Sequence, residues 1–163
     1  MDFDEAVKWL HTPGRWCDGA KALATMGERR AIVPLVAAFR TPSEGLKKGC
    51  LWNALRRLAT PEAVDELYDQ GGLDERLAAL YLMEVFDDPR HFGRLEQAAA
   101  DRDGSVRQQT LRAVGGQRQT EGWETLLIRL LKVPYDDIRK PVIDRLSQRN
   151  TEAARRALQV SPQ

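Results

Sequence analysis

Asp103-Gly104-Ser105-Val106-Arg107-Gln108-Gln109-Thr110-Leu111-Arg112-Ala113-Val114-Gly115 decides the fold. Val106, Thr110, Ala113 and Val114 fall on one helical stripe, and weaker copies of the pattern recur about every 30 residues in both directions. A period of that length marks an array of short helical pairs. Each pair buries its apolar face against its neighbours, and one long face stays open to hold a partner rather than enclose a substrate.

The same signals extend outward. Leu51, Ala54, Leu55 and Leu58 form an equivalent stripe, and strand-type alternation is absent. Thr12-Pro13, Thr41-Pro42, Thr60-Pro61 and Asp88-Pro89 each place a capping oxygen before a proline suited to a first helical turn. Gly71-Gly72 and Gly115-Gly116 read as helix ends. This punctuation predicts helix pairs near residues 3–26, 31–59, 61–86, 89–115 and 121–149, then a C-terminal helix over 151–160. Connections this short require consecutive helices to lie antiparallel. The expected fold is all-α, a single repeat domain over residues 1–163 built of about five stacked hairpins.

At 163 residues the chain is long enough to bury a core without disulfides or metals. The longest uncharged apolar run, Ala31 to Phe39, is too short to cross a bilayer, and Met1-Asp2-Phe3-Asp4-Glu5 is acidic where a signal peptide is basic. A cytoplasmic protein with no membrane partner is the expectation. Cys17 and Cys50 lie in predicted helices without CxxC spacing and read as small core residues, not as a disulfide or metal pair. Charge is dense but balanced, 25 basic against 24 acidic residues, which argues against generic affinity for nucleic acid.

A basic residue near the start of each later second helix keeps the register: Lys48, Arg76, Arg107 and Arg139. Asp101-Arg102-Asp103-Gly104-Ser105-Val106-Arg107, followed by Ala113-Val114-Gly115, resembles the second half of a HEAT-like repeat of the type first grouped with phycobilin lyases. Arg30-Ala31-Ile32-Val33-Pro34-Leu35-Val36 resembles that family's first helix, with Pro34 as its bend-inducing proline. The resemblance spans nearly the whole chain and is specific in these two stretches. It implies a right-handed α-solenoid, a HEAT-like superhelix whose second helices line the concave side. It also implies structural roles for Pro34, Lys48, Arg76, Asp101, Arg107 and Arg139. In the family an aspartate pairs with an arginine six positions later, as Asp101 and Arg107 are spaced. The equivalent positions Pro42, Gln70 and Val133 carry no acid, which argues against a continuous ionic ladder.

Catalytic chemistry finds few candidates. His11 and His91 lie many helices apart, and neither is followed by the glutamate that iron-binding HEAT-like hydroxylases use. No phosphate-loop or nucleophile-elbow motif occurs. Asp87-Asp88 and Asp136-Asp137 read as helix-start caps rather than acid-base pairs. No catalytic residue, metal or cofactor is expected.

Positions one and five after each arginine-type position point away from the stripe that packs into the stack. They pick out Asn53, Leu77, Tyr81, Gln108, Arg112, Lys140 and Asp144, with Arg57 and Gln148 a turn further on. Leu77 and Tyr81 form an apolar centre with a polar and basic rim, the anatomy of a protein-binding hot spot. The competing reading buries them against a neighbour, because 73–86 is apolar nearly all round. Trp9, Trp16, Trp52 and Trp123 read as filler between repeats.

The expected function is a non-enzymatic scaffold or adaptor that binds another protein or a peptide on this face. A nucleic-acid or DNA-repair module is the alternative, suggested by Lys47, Lys48, Arg56, Arg57, Arg107, Arg112, Arg139, Lys140 and Arg145. The acids Glu62, Asp65, Glu66 and Asp69 on one first helix count against it. A bilin-lyase-type accessory protein follows only from the family's grouping and lacks a well-placed histidine.

Overall fold

The computed structural model describes residues 1–41, 48–115 and 122–160. Among them the chain is all-helical, with eleven α-helices and no strand. It divides into two compact units, Met1–Ala78 and Ala79–Gln163.

In the first unit, α1 (Phe3–Leu10) starts where Asp2 accepts the Glu5 N–H at 2.8 Å. It packs along α2 (Trp16–Met26), and Gly19 allows the approach, since a Cβ there would stand 2.6 Å from the Ala6 carbonyl oxygen. Gly27 ends α2 in the left-handed conformation, φ 70°. A 3-10 turn, Arg29–Ala31, leads into α3 (Ile32–Arg40), followed by α4 (Lys48–Leu58). Pro34 sits in the first turn of α3, where its missing N–H has no helical acceptor to serve. Thr60 caps α5 (Pro61–Gln70) through the Ala63 N–H at 3.2 Å, with Pro61 at the first helical position. The next helix, α6 (Leu73–Phe86), contains the division between the units.

Packing follows the apolar stripes. Ala6, Leu23, Ile32, Leu35, Leu51 and Leu55 are buried where α1 meets α2 and α3, and where α4 meets α2 and α3. Each fully buried leucine contributes about 2 kcal/mol. First helix thus lies on first helix and second on second. A disulfide joins Cys17 on α2 to Cys50 on α4, Cα to Cα 5.4 Å. The expectation that both cysteines are reduced core residues is overturned. Both are half-buried, on helix faces that register brings together although 33 residues separate them in sequence.

The second unit continues from Ala79. Asp87, at φ 48°, ends α6, and Asp88 accepts the Arg90 N–H at 2.9 Å to start a 3-10 turn, Pro89–His91. Then come α7 (Phe92–Ala99), α8 (Gly104–Gly115), α9 (Trp123–Leu130), α10 (Asp136–Arg149) and α11 (Glu152–Val160). Again first packs on first, α7 on α9, and second on second, α8 on α10, while α11 covers α9 and α10. Val106, Val114, Leu127, Leu130, Ile138, Val142 and Leu146 fill the interior.

Several sequence-based expectations change at helix ends. Thr12 and Thr41 close helices instead of opening them: their hydroxyls donate to the carbonyls of Lys8 at 3.0 Å and Ala37 at 2.9 Å. His11 is the C-cap of α1. Asp136 and Asp137 occupy the first turn of α10, whose N-cap is Tyr135, so they oppose the helix dipole and pair with arginines rather than cap amides. Pro141, inside α10, went unremarked in the sequence reading, yet the helix runs through it. Pro42, Lys47, Gly116 and the helix-pair start expected at 121 lie outside the described residues.

Candidate functional site

Six of the eight residues assigned to a partner-binding face are exposed: Asn53, Arg57, Gln108, Arg112, Lys140 and Asp144. Leu77, in the first unit, and Tyr81, in the second, are half-buried. Gln148 is exposed as well.

In the first unit, spacing along two neighbouring helices builds a cleft. Cys50, Asn53, Ala54 and Arg57 recur at i, i+3, i+4 and i+7 on α4, and Lys21, Ala24 and Thr25 at i, i+3 and i+4 on α2. These seven residues line an open cleft of about 380 Å³. The alanines leave room for it, Lys21 and Arg57 put cations on opposite walls, and Cys50 ties its wall to α2. Among the described residues, no acidic side chain lines it. Neither Lys21 nor Arg57 has an ion-pair partner among the described residues. Three other arginines of this unit are engaged: Arg15 lies over the Trp9 ring at 3.3 Å, Arg30 lies over Phe3 at 3.9 Å, and Arg29 pairs with Glu66. Lys48, assigned a structural role, is exposed, its ammonium 5.6 Å from the Phe39 ring centre.

In the second unit the arginine of the opening stretch is structural. Arg107 donates to the main-chain oxygens of Asp101 at 2.9 Å and Arg102 at 3.0 Å, forms an ion pair with Asp137 at 2.8 Å, and stacks 4.0 Å over Tyr135. Asp101 meanwhile accepts the Asp103 N–H at 2.8 Å, shaping the turn that leads into α8. Asp137, 30 residues beyond Arg107, is the acid that spacing alone did not pick out. Arg139 pairs with Asp136.

Two further polar contacts link helices here. Gln109, 5 % exposed, donates to Glu84 at 2.9 Å. Arg145 reaches from α10 to the Leu111 carbonyl at 3.3 Å, and its guanidinium fills the space a side chain at Gly115 would need. Gly115 is the last residue of α8, at the helix end expected of it, and also makes that room. Burial pushes the Arg145 pKa below its ordinary value, and its Nη1 finds no hydrogen-bond partner among the described residues. Trp123 is buried filler, as expected, with its indole N–H donating to the Val114 carbonyl at 2.9 Å.

Gln108 and Arg112 on α8, and Lys140 and Asp144 on α10, project from two helices that pack on each other. Arg112 has no ion-pair partner among the described residues, whereas Lys140 reaches Asp136 at 3.8 Å. No group of three or more metal-ligating side chains occurs among the described residues, and none of their helices is long and apolar enough to cross a membrane. The sequence matches no protein-family model and no curated protein, so the likeness of residues 101–115 to a HEAT-like repeat rests on their residue pattern.

Proposed function

We propose that the protein is a non-enzymatic binding scaffold that holds another protein or a peptide on the exposed faces of its second helices. The observation that carries this reading is the split among the arginines: Arg107, Arg139 and Arg149 are tied into the fold, while Arg57 and Arg112 stand exposed without ion-pair partners among the described residues. Fixed helices preorganise such groups, so little order has to be created when a partner docks. The right-handed superhelical course implied by the resemblance belongs to this proposal. First helices on first and second on second, within each unit, support it.

Cross-linking and affinity capture, with wild type beside an Arg112→Glu, Lys140→Glu variant of unchanged melting temperature, tests the reading. A protein retained by wild type and lost from the variant is expected; identical captures would count against it. An oligonucleotide gel shift that weakens steeply with salt would favour the nucleic-acid reading instead.

A further inference from the structure

We infer that the cleft between α2 and α4 is a docking site for an acidic peptide segment, which gives the proposed binding function a partner chemistry and rests on it. The two walls carry Lys21 and Arg57, which have no ion-pair partner among the described residues, and no carboxylate among those residues lines the cleft beside them. A guanidinium presents a planar fork that matches a carboxylate, and an ammonium supplies a movable second donor. Asn53 and Thr25 add an amide and a hydroxyl able to meet peptide main-chain groups. Ala24 and Ala54 give a small apolar floor suited to the methylenes of a glutamate side chain.

The shape favours a segment lying across the surface over an engulfed molecule, because the cleft is open to solvent rather than enclosed. Charge favours peptide over nucleic acid. Basic and acidic residues nearly cancel over residues 1–78, and Glu62, Asp65, Glu66 and Asp69 gather on α5, so the unit lacks the continuous basic track a polyphosphate needs. The Cys17–Cys50 disulfide holds the α4 wall to α2, so the two cations are kept on facing walls before any partner arrives.

The test is amide NMR and calorimetry on the full chain with an N-acetylated hexaglutamate peptide, a hexaglutamine peptide, inorganic phosphate and a ten-residue oligothymidylate. Hexaglutamate is expected to shift the amides of Lys21, Thr25, Asn53 and Arg57. Its affinity should fall at least tenfold in a Lys21→Met, Arg57→Met variant and stay unchanged in Arg112→Glu. The methionines keep the aliphatic stems, and an unaltered melting temperature confirms folding. Absence of shifts at these residues, equal binding of hexaglutamine, or tighter binding of phosphate or oligothymidylate would each overturn the assignment. The capture experiment reads the second unit, so failure here leaves that result standing, and failure there leaves this one.

Discussion

Arg107 shows how one side chain turns a repeat pattern into a fold. Only 14 % of its side chain is exposed, and all its donors face acceptors of the turn before α8 or of Asp137 at the start of α10, with Tyr135 beneath the guanidinium plane. Removing it leaves the Asp101 and Arg102 carbonyls without these donors and strips Asp137 of its countercharge. Arg107→Ala should therefore lower unfolding stability by about 2–3 kcal/mol in urea titrations. Arg107→Lys keeps the charge but loses the fork and the stacking, so it should fall between the two. A lysine variant as stable as wild type would show that charge alone matters there. The sequence made Arg107 visible because it recurs in register. It hid the partner, because Asp137 stands in the next hairpin and no local spacing rule reaches across 30 residues.

At the scale of elements, α2 and α4 are neighbours with a covalent link that their sequences conceal. Each cysteine sits alone in a helix, and a small half-buried residue on an apolar-flanked stripe looks the same whether or not a second thiol faces it. Pairing was fixed by the register of two hairpins, a tertiary fact. The disulfide constrains the unfolded chain over a separation of 33 residues, which by loop-closure entropy is worth about 3–4 kcal/mol. Replacing both cysteines with alanine, or reducing the bond with excess dithiol, should lower the melting temperature by a comparable amount in both cases. A melting temperature unaffected by dithiol would exclude a bond formed in solution. The outer bounds of the helix pairs, by contrast, were legible almost to the residue at 3–26 and 61–86, and at the ends 115 and 149, because periodicity is local. Caps were less so: Thr12 and Thr41 have hydroxyls that serve a helix end as readily as a start, and the sequence does not say which. The candidate face was partly legible for the same reason. Helical spacing told outward from inward at Asn53, Arg57, Gln108, Arg112, Lys140 and Asp144. It did not reveal that Lys21 and Thr25 of a different hairpin complete a cleft with Asn53 and Arg57.

For the whole molecule, charge balance makes stability depend on acids held in local contacts. Asp88 is lowered from its ordinary pKa first by hydrogen bonding to Arg90, Glu124 first by the Thr151 hydroxyl and then by Arg149, and Asp136 first by Arg139. A carboxylate with a depressed folded pKa binds its proton more weakly in the native state than in the unfolded one. Its contribution is complete above the unfolded value, near 4 for these side chains, and is lost as pH falls through the lower folded value. Stability should accordingly be flat from pH 7 to about pH 5 and decline below that. Glu124 is the informative position, because its two contacts, 2.9 Å to Arg149 and 2.8 Å to Thr151, join α9 to the end of α10 and the start of α11. Glu124→Gln should cost about 1 kcal/mol at pH 7. Its deficit should shrink as pH falls through the lowered folded value, where the wild-type carboxyl becomes protonated too. Chemical denaturation of both proteins from pH 7 downward measures it, and a deficit that stayed constant throughout the acid range would mean that the amide disturbs packing and that the charge of Glu124 contributes nothing.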